Sequence, residues 1–280
     1  MKQQTVLITG ASSGIGKATA LLFAAKGWNV VATMRSPEKE EELTKLPNIM
    51  VVRLDVQDAG TIAPAIEAGI RSFGQIDLLV NNAGYGQFGL FEAATTQQVR
   101  QQFEVNVFGM MDTIQAILPH FRAQKSGMII NISSGAGRFT LPLISLYAAS
   151  KFALEGFSEA LSFELAALNI GVKIVEPGGT TTNFNKVSED NFSHDAALTE
   201  YGPFMAAAGQ LYDKLRSQQL ATPDEVAAVI YEAATDGTPT LRYLVGNEDF
   251  KKRVAARMTM PDQQYVESVK NSYLPYMPKA

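Results

Sequence analysis

The sequence predicts an α/β fold: a doubly wound, seven-stranded, mostly parallel sheet with helices on both faces. Three observations predict it. Seven short runs rich in Val, Ile and Leu are apolar nearly throughout rather than alternating, as strands covered on both faces are. Amphipathic helical patterns lie between them, and such alternation builds a doubly wound sheet. A glycine-spaced turn joins the first strand directly to the first helix.

In chain order, the strands are read at 5–9, 28–34, 49–54, 76–80, 128–133, 172–176 and 242–246. Helices are expected at 14–26, 37–46, 59–73, 96–124, 145–169 and 223–235. Ser36-Pro37 reads as an N-cap followed by proline at the first helical position. Thr222-Pro223-Asp224-Glu225 reads as a capping box with proline inside it. Residues 183–221 form a connection too long to be a plain loop. Its Phe184, Phe192, Phe204 and Met205 favour an ordered lid. A tail at 247–280 carries helical patterns at 248–258 and 261–273. No internal repeat or low-complexity linker divides the chain, so residues 1–280 are expected to form one domain.

Composition narrows the function classes. The formal charge is −4 with both signs interspersed, which offers no basic field to a nucleic acid. There is no cysteine, so thiol catalysis, disulfides and cysteine-ligated metals are excluded, in keeping with a reducing cytoplasm. His120 and His194 are far apart in sequence and suggest no metal cluster. The N-terminus has no signal-peptide layout, and no apolar run reaches the roughly 20 residues of a membrane span. A cytoplasmic protein is expected.

The turn TGASSGIG, residues 9–16, places Gly10, Gly14 and Gly16 where a dinucleotide pyrophosphate meets helix N–H groups in a Rossmann-type fold. Ser12, Ser13 and Ile15 belong to the same expected contact set. The second strand ends in Thr33-Met34-Arg35-Ser36. A carboxylate there would bind the ribose of NAD, whereas a guanidinium accommodates the 2′-phosphate of NADP. NADP(H) is therefore favoured, with NAD(H) still admissible, unless Arg35 is a solvated surface residue. Asp55 and Val56, past the third strand, could hold the adenine amino group; Asp55 could equally cap a turn.

The chain resembles the compact, single-domain branch of the short-chain dehydrogenases/reductases. Six motifs carry the resemblance in order and in register over about residues 4–182: TGASSGIG, NNAG (81–84), Asn106 in FEVNVFG, NISS (131–134), YAASK (147–151) and PGGTTT (177–182). The longer helical tail is closer to members that resemble hydroxysteroid and retinol dehydrogenases. The resemblance implies that Tyr147 is the general acid/base and that Lys151 also holds the nicotinamide ribose hydroxyls. It implies that Asn106 bends its helix and relays protons through water to the lysine. It also implies a homodimer or homotetramer packed through the helices at 96–124 and 145–169.

The residues support these roles. Tyr147 and Lys151 stand at i and i+4 and share one helix face. Bringing a phenol from about 10 to near 7 takes about 4 kcal/mol at about 1.36 kcal/mol per unit. One cation at about 4 Å in an effective dielectric near 20 supplies about that much. Ser134 follows the fifth strand, at the carboxyl end that faces the ligand crevice, and would stabilise a developing oxyanion. Strand alternation lets only one of Ser133 and Ser134 face the site, and the spacing favours Ser134. Asn82, Ala83 and Gly84 should flank the adenosine ribose; Pro177, Gly178, Thr180 and Thr182 should approach the nicotinamide carboxamide.

Tyr85–Phe88, Gly135, Ala136, Leu141–Ile144, Gly179 and the lid should border the substrate crevice. That apolar lining points to a small hydrophobic ketone, aldehyde or secondary alcohol rather than a phosphorylated or acidic one. The sequence thus predicts an NADP(H)-dependent oxidoreductase. Its main rival is a non-catalytic dinucleotide-sensing regulator, which would not need Ser134, Tyr147 and Lys151 together. A nucleotide- or S-adenosylmethionine-dependent transferase would not need YAASK at that distance from NISS, and an enoyl reductase usually spaces its Tyr and Lys more widely.

Overall fold

The computed structural model describes residues 3–277. Seven strands pair in the order β3-β2-β1-β4-β5-β6-β7. They are β1 (Thr5–Ile8), β2 (Asn29–Met34), β3 (Ile49–Arg53), β4 (Leu78–Asn81), β5 (Gly127–Ile132), β6 (Ile170–Pro177) and β7 (Arg242–Val245). Every pairing is parallel, so the expected qualifier "mostly" falls away. Side-chain alternation divides the core in two. Val6 and Ile8 of β1 face a layer that includes Phe23 of α1 (Gly14–Ala25), Trp28 just before β2, and Val226 and Ile230 of the capped α8 (Pro223–Thr235). Leu7 faces the other way, onto Ile66, Ile114, Phe121 and Leu154. Those come from α2 (Ala59–Phe73), α4 (Gly109–Gln124) and α5 (Ser145–Ala166). The strand order reverses between β1 and β4, which opens a crevice at their carboxyl ends.

Two helices differ from expectation. Residues 37–46 form two single turns, Pro37–Lys39 and Leu43–Lys45, instead of one helix. The cause is local competition: the Glu40 carboxylate accepts the N–H groups of Glu42 (2.9 Å) and Leu43 (3.0 Å) and binds Lys17 (3.1 Å). Backbone donors that a helix would use are captured by a side chain. Ser36 makes no side-chain cap. The stretch 96–124 is α3 (Thr96–Phe103) and α4, joined by a π-turn over Glu104–Phe108 with Asn106 at its centre. Such bulges widen one turn and re-aim side chains.

The 183–221 connection is ordered. It holds α6 (Phe184–Asp190) and α7 (Gly202–Arg216). Backbone bridges tie it at Gly89–Ser193 and Thr180–Ala221, and the Tyr212 phenol donates to the Pro142 carbonyl at 2.7 Å. Helices α9 (Glu248–Thr259) and α10 (Asp262–Tyr273) fold back onto the crevice rim. Val254 and Tyr265 pack on Phe139, and the Tyr265 hydroxyl donates to the Thr140 carbonyl at 3.1 Å.

Candidate active site

The turn after β1 adopts a backbone that only glycine tolerates easily. Gly10 and Gly14 have φ of +68° and +54°. A Cβ on Gly10 would lie 3.0 Å from the Ala83 Cα, and one on Gly16 would collide with the Gly10 carbonyl and the Asn82 amide. Asn82 holds the turn by donating to the carbonyls of Thr9 and Gly10, both at 3.0 Å. Thr9 Oγ1 in return accepts the N–H groups of Asn82 and Ala83. Ser13 does not cap α1 with its side chain, and no acidic residue sits in the first turn. An anion-accepting helix start behind a glycine cradle is the donor set a dinucleotide pyrophosphate requires. The residues present fit such a cofactor.

All the predicted site residues except Gly16 and Asn106 line one cleft of about 960 Å³. Arg35 stands exposed on the cleft wall at the end of β2, beside Met34. Asp55 serves a local turn, its carboxylate accepting the Gln57 N–H at 3.1 Å, while Val56 lies beside it on the cleft wall. Gly178 closes β6 by donating to the Val245 carbonyl at 2.7 Å. Thr180 donates to the Gly178 carbonyl at 3.1 Å. Thr182 reaches across the cleft until its methyl group meets Gly14.

Ser134, Tyr147 and Lys151 converge at the far end. The Ser134 hydroxyl lies beside the Tyr147 phenol and accepts the Ala136 N–H at 3.1 Å. Ser133 also lines the cleft, contrary to the expectation that strand alternation admits only one of the two serines, but it is buried near Gly137 and its hydroxyl has no hydrogen-bond partner. Lys151 donates to the Ile132 carbonyl at 2.8 Å, its ammonium 5.9 Å from the Tyr147 ring centroid. Burial pushes the Tyr147 phenol up to about 12, against a lowering by the Ser134 hydroxyl. Burial also lowers the Lys151 ammonium to about 8, against the raising effect of Glu155. The phenol therefore moves the opposite way from the depression inferred from Tyr/Lys spacing. Desolvation outweighs a cation that is engaged with a carbonyl instead of the phenolic oxygen.

Asn106 does not touch the cleft. Its carboxamide clamps the Tyr85 backbone, accepting the N–H at 3.0 Å and donating to the carbonyl at 2.9 Å, and also reaches Ser150 at 3.2 Å. Gln102, one turn earlier, donates to the same carbonyl at 3.1 Å and accepts the Gln87 N–H. Gln102 and Ser150 were missed from the sequence, the one signal being Gln102 preceding Asn106 by four residues, while Gln87, expected on the crevice border, is buried behind it against Gln102 and Ser193. Also missed were Phe139, Phe250 and Arg253, which line the same cleft, as does Tyr212 from the expected lid. Phe88 and Phe184 meet the Tyr147 ring at 5.6 and 5.5 Å between centroids. Phe250 fills the space over Gly135 and Gly178. His194 is exposed and away from the cleft, while His120 contacts the Ile76 backbone. Among the described residues, no group of acidic or histidine side chains could hold a metal ion, and no helix is long and apolar enough to cross a membrane.

The model of the short chain dehydrogenase family matches residues 4–192. An uncharacterised oxidoreductase of Schizosaccharomyces pombe is 41% identical over 216 residues, covering 76% of this chain and 89% of its own. Human retinol dehydrogenase 8 is 38% identical over 190 residues, 65% of this chain and 60% of its own. A crystal structure of a short-chain dehydrogenase from Streptomyces avermitilis superposes with a TM-score of 0.79 at 33% identity, over 96% of this chain and 97% of that one. A Burkholderia phymatum relative in complex with NAD gives 0.77 at 25% identity, over 100% and 98% of the two chains.

Proposed function

The chain belongs to the short-chain dehydrogenase family, an oxidoreductase of the kind that uses a nicotinamide dinucleotide, and from that premise we propose that it interconverts a hydrophobic ketone or aldehyde with its alcohol, using NADP(H). The observation that carries this reading is the convergence of Ser134, Tyr147 and Lys151 on an apolar, aromatic cleft wall. When bound, the dinucleotide supplies or accepts the hydride. Ser134 holds the substrate oxygen by hydrogen bonding and stabilises charge developing there. In the reducing direction, Tyr147 gives its proton to that oxygen as the carbonyl carbon is reduced, and it takes the proton back in oxidation. Lys151, whose ammonium is buried beside the phenol ring, favours the phenolate left behind. Phe88, Phe184 and Phe250 exclude water from this end of the cleft.

Arg35 is the basis for the NADP preference: it is exposed, lines the cleft and has no carboxylate neighbour on β2 that could bind a ribose hydroxyl instead. Arg35→Asp should reverse the preference, raising the NADH-to-NADPH ratio of kcat/KM by at least about tenfold, about 1.4 kcal/mol. An unchanged ratio would remove Arg35 from the 2′-phosphate site. The same reading includes self-association as a homodimer or homotetramer through α4 and α5, where Phe163 of α5 and Phe108 of the π-turn preceding α4 are exposed, and a cytoplasmic location.

NADPH oxidation, with NADH in parallel, measured over aromatic ketones, aliphatic ketones, steroids and retinal, tests the reaction. Turnover that prefers NADPH supports it. Tight dinucleotide binding with no turnover of any carbonyl compound would favour a dinucleotide sensor.

A further inference from the structure

We propose that the substrate carries a carboxylate at the end remote from its reacting carbon, and that Arg253 of α9 holds it. This rests on the carbonyl–alcohol reading above and names the substrate class within it. Arg253 lines the same cleft as Tyr147, is half-buried, and lies with its guanidinium 5.6 Å above the Phe139 ring. Among the described residues it has no hydrogen bond and no ion pair.

Its neighbours show that this is unusual here. Arg138 pairs with Glu176 at 3.1 Å, Arg242 with Glu155 at 3.0 Å, and Arg257 with Asp262 at 3.0 Å. Arg216, the other cation on the lid side of the cleft, is engaged by Glu189 at 3.2 Å and Asp213 at 3.9 Å. Asp249 stands one turn before Arg253 on α9, yet faces Gln218 at 3.4 Å instead. The unpaired Arg53, Arg100 and Arg122 are exposed, where water serves them. Arg253 is different: an aromatic ring covers one face of its guanidinium, and the residue lines the cleft. A guanidinium partly covered by an aromatic ring and left without an anion is placed to take one from a ligand.

The wall between the reacting end and Arg253 is continuous. Leu141 belongs both to the apolar cluster of Ile144, Tyr147, Phe88 and Phe184 and to that of Phe139, Phe250 and Val254. An apolar chain or ring system lying along this wall reaches from Tyr147 to Phe139, where the guanidinium begins. The positive charge of Arg253 is felt by Tyr212 on α7 and Tyr265 on α10. One free guanidinium matches the single charge of a carboxylate and its planar two-oxygen edge. A phosphate dianion would call for a second free cation, and Arg216 is taken. The acidic substrate discounted from the sequence thus returns, because the residue that recognises it lies in the tail rather than in the family motifs.

The test uses straight-chain keto acids of graded length, with the ketone next to the terminal methyl group, and their methyl esters. At the best chain length, the wild-type kcat/KM for the acid should exceed that for its ester by at least about tenfold, equivalent to about 1.4 kcal/mol. Arg253→Gln should bring that ratio close to one, and Arg253→Lys should leave an intermediate ratio, since it keeps the charge but loses the fork. Calorimetric titration of the acid into protein loaded with NADP⁺ should give a dissociation constant at least tenfold weaker for Arg253→Gln than for wild type. Equal acid and ester values at every length, or a ratio indifferent to Arg253→Gln, would overturn the proposal. Arg253-dependent binding of the acid with no turnover of acid or ester would sustain the anchor and count against the carbonyl–alcohol reading.

Discussion

Tyr147→Phe should lower turnover by about a thousandfold or more while changing the dinucleotide dissociation constant by less than about threefold, within the range that general acid–base catalysis contributes. Only a hydroxyl is removed. The ring keeps its contacts with Phe88 and Phe184, and the neighbouring Lys151 stays bonded to the Ile132 carbonyl. What is lost is the proton itself, together with the hydroxyl's interaction with the neighbouring Ser134. Binding by fluorescence quenching and turnover by absorbance, on the same preparation, separate the two effects. A variant that keeps a tenth of wild-type activity would remove Tyr147 from the proton-transfer role.

The pH dependence of the wild type follows from the same pair. Burial holds the phenol near 12, so it stays protonated, and thus able to donate, throughout the neutral range. Burial lowers Lys151 to about 8, so its charge is present below that value and lost as pH rises through it. The rate of carbonyl reduction should therefore hold level below about pH 8 and decline above it. A reduction rate that rises steadily from pH 7 to 9 would contradict a role for the charged lysine.

The sheet and the phosphate turn were legible because their signals are local. Apolar runs such as those around Leu7 and Ile129 need burial on both faces, and Gly10 and Gly14 occupy a left-handed backbone that few other residues accept. Tyr147 and Lys151 were legible for the same reason: a helix fixes what i and i+4 share. The failures arose where a side chain competes with the backbone or where distant segments meet. Glu40 broke a helix that periodicity alone would continue. Phe250 and Arg253 reach the cleft only because α9 folds back onto β6 and the turn after β5, a long-range docking that no window of sequence reveals. The phenol's acidity was misjudged because helical spacing gives proximity, whereas desolvation depends on everything that surrounds the pair.

Asn106→Ala is expected to damage the fold and the site together. Asn106 is buried, at 2% exposure, and its carboxamide satisfies both the N–H and the carbonyl of Tyr85. Alanine leaves the N–H without a partner, while the carbonyl keeps Gln102 as its remaining donor. An unsatisfied buried group costs about 1–3 kcal/mol, and the emptied volume adds to this. A loss of about 2–4 kcal/mol should lower Tm by several degrees in a chain of this size. Activity should fall further than stability accounts for, because the Tyr85 segment borders the cleft between Gly84 and Phe88. Asn106→Asp separates the two consequences. It retains the acceptor for the Tyr85 N–H but replaces the amide donor with an oxygen that repels the Tyr85 carbonyl. It should therefore remain folded at room temperature, lose part of its thermal stability, and show a raised KM as the Tyr85 wall shifts. If Asn106→Ala melts within a degree of wild type and retains its KM, the π-turn is not what holds this side of the cleft.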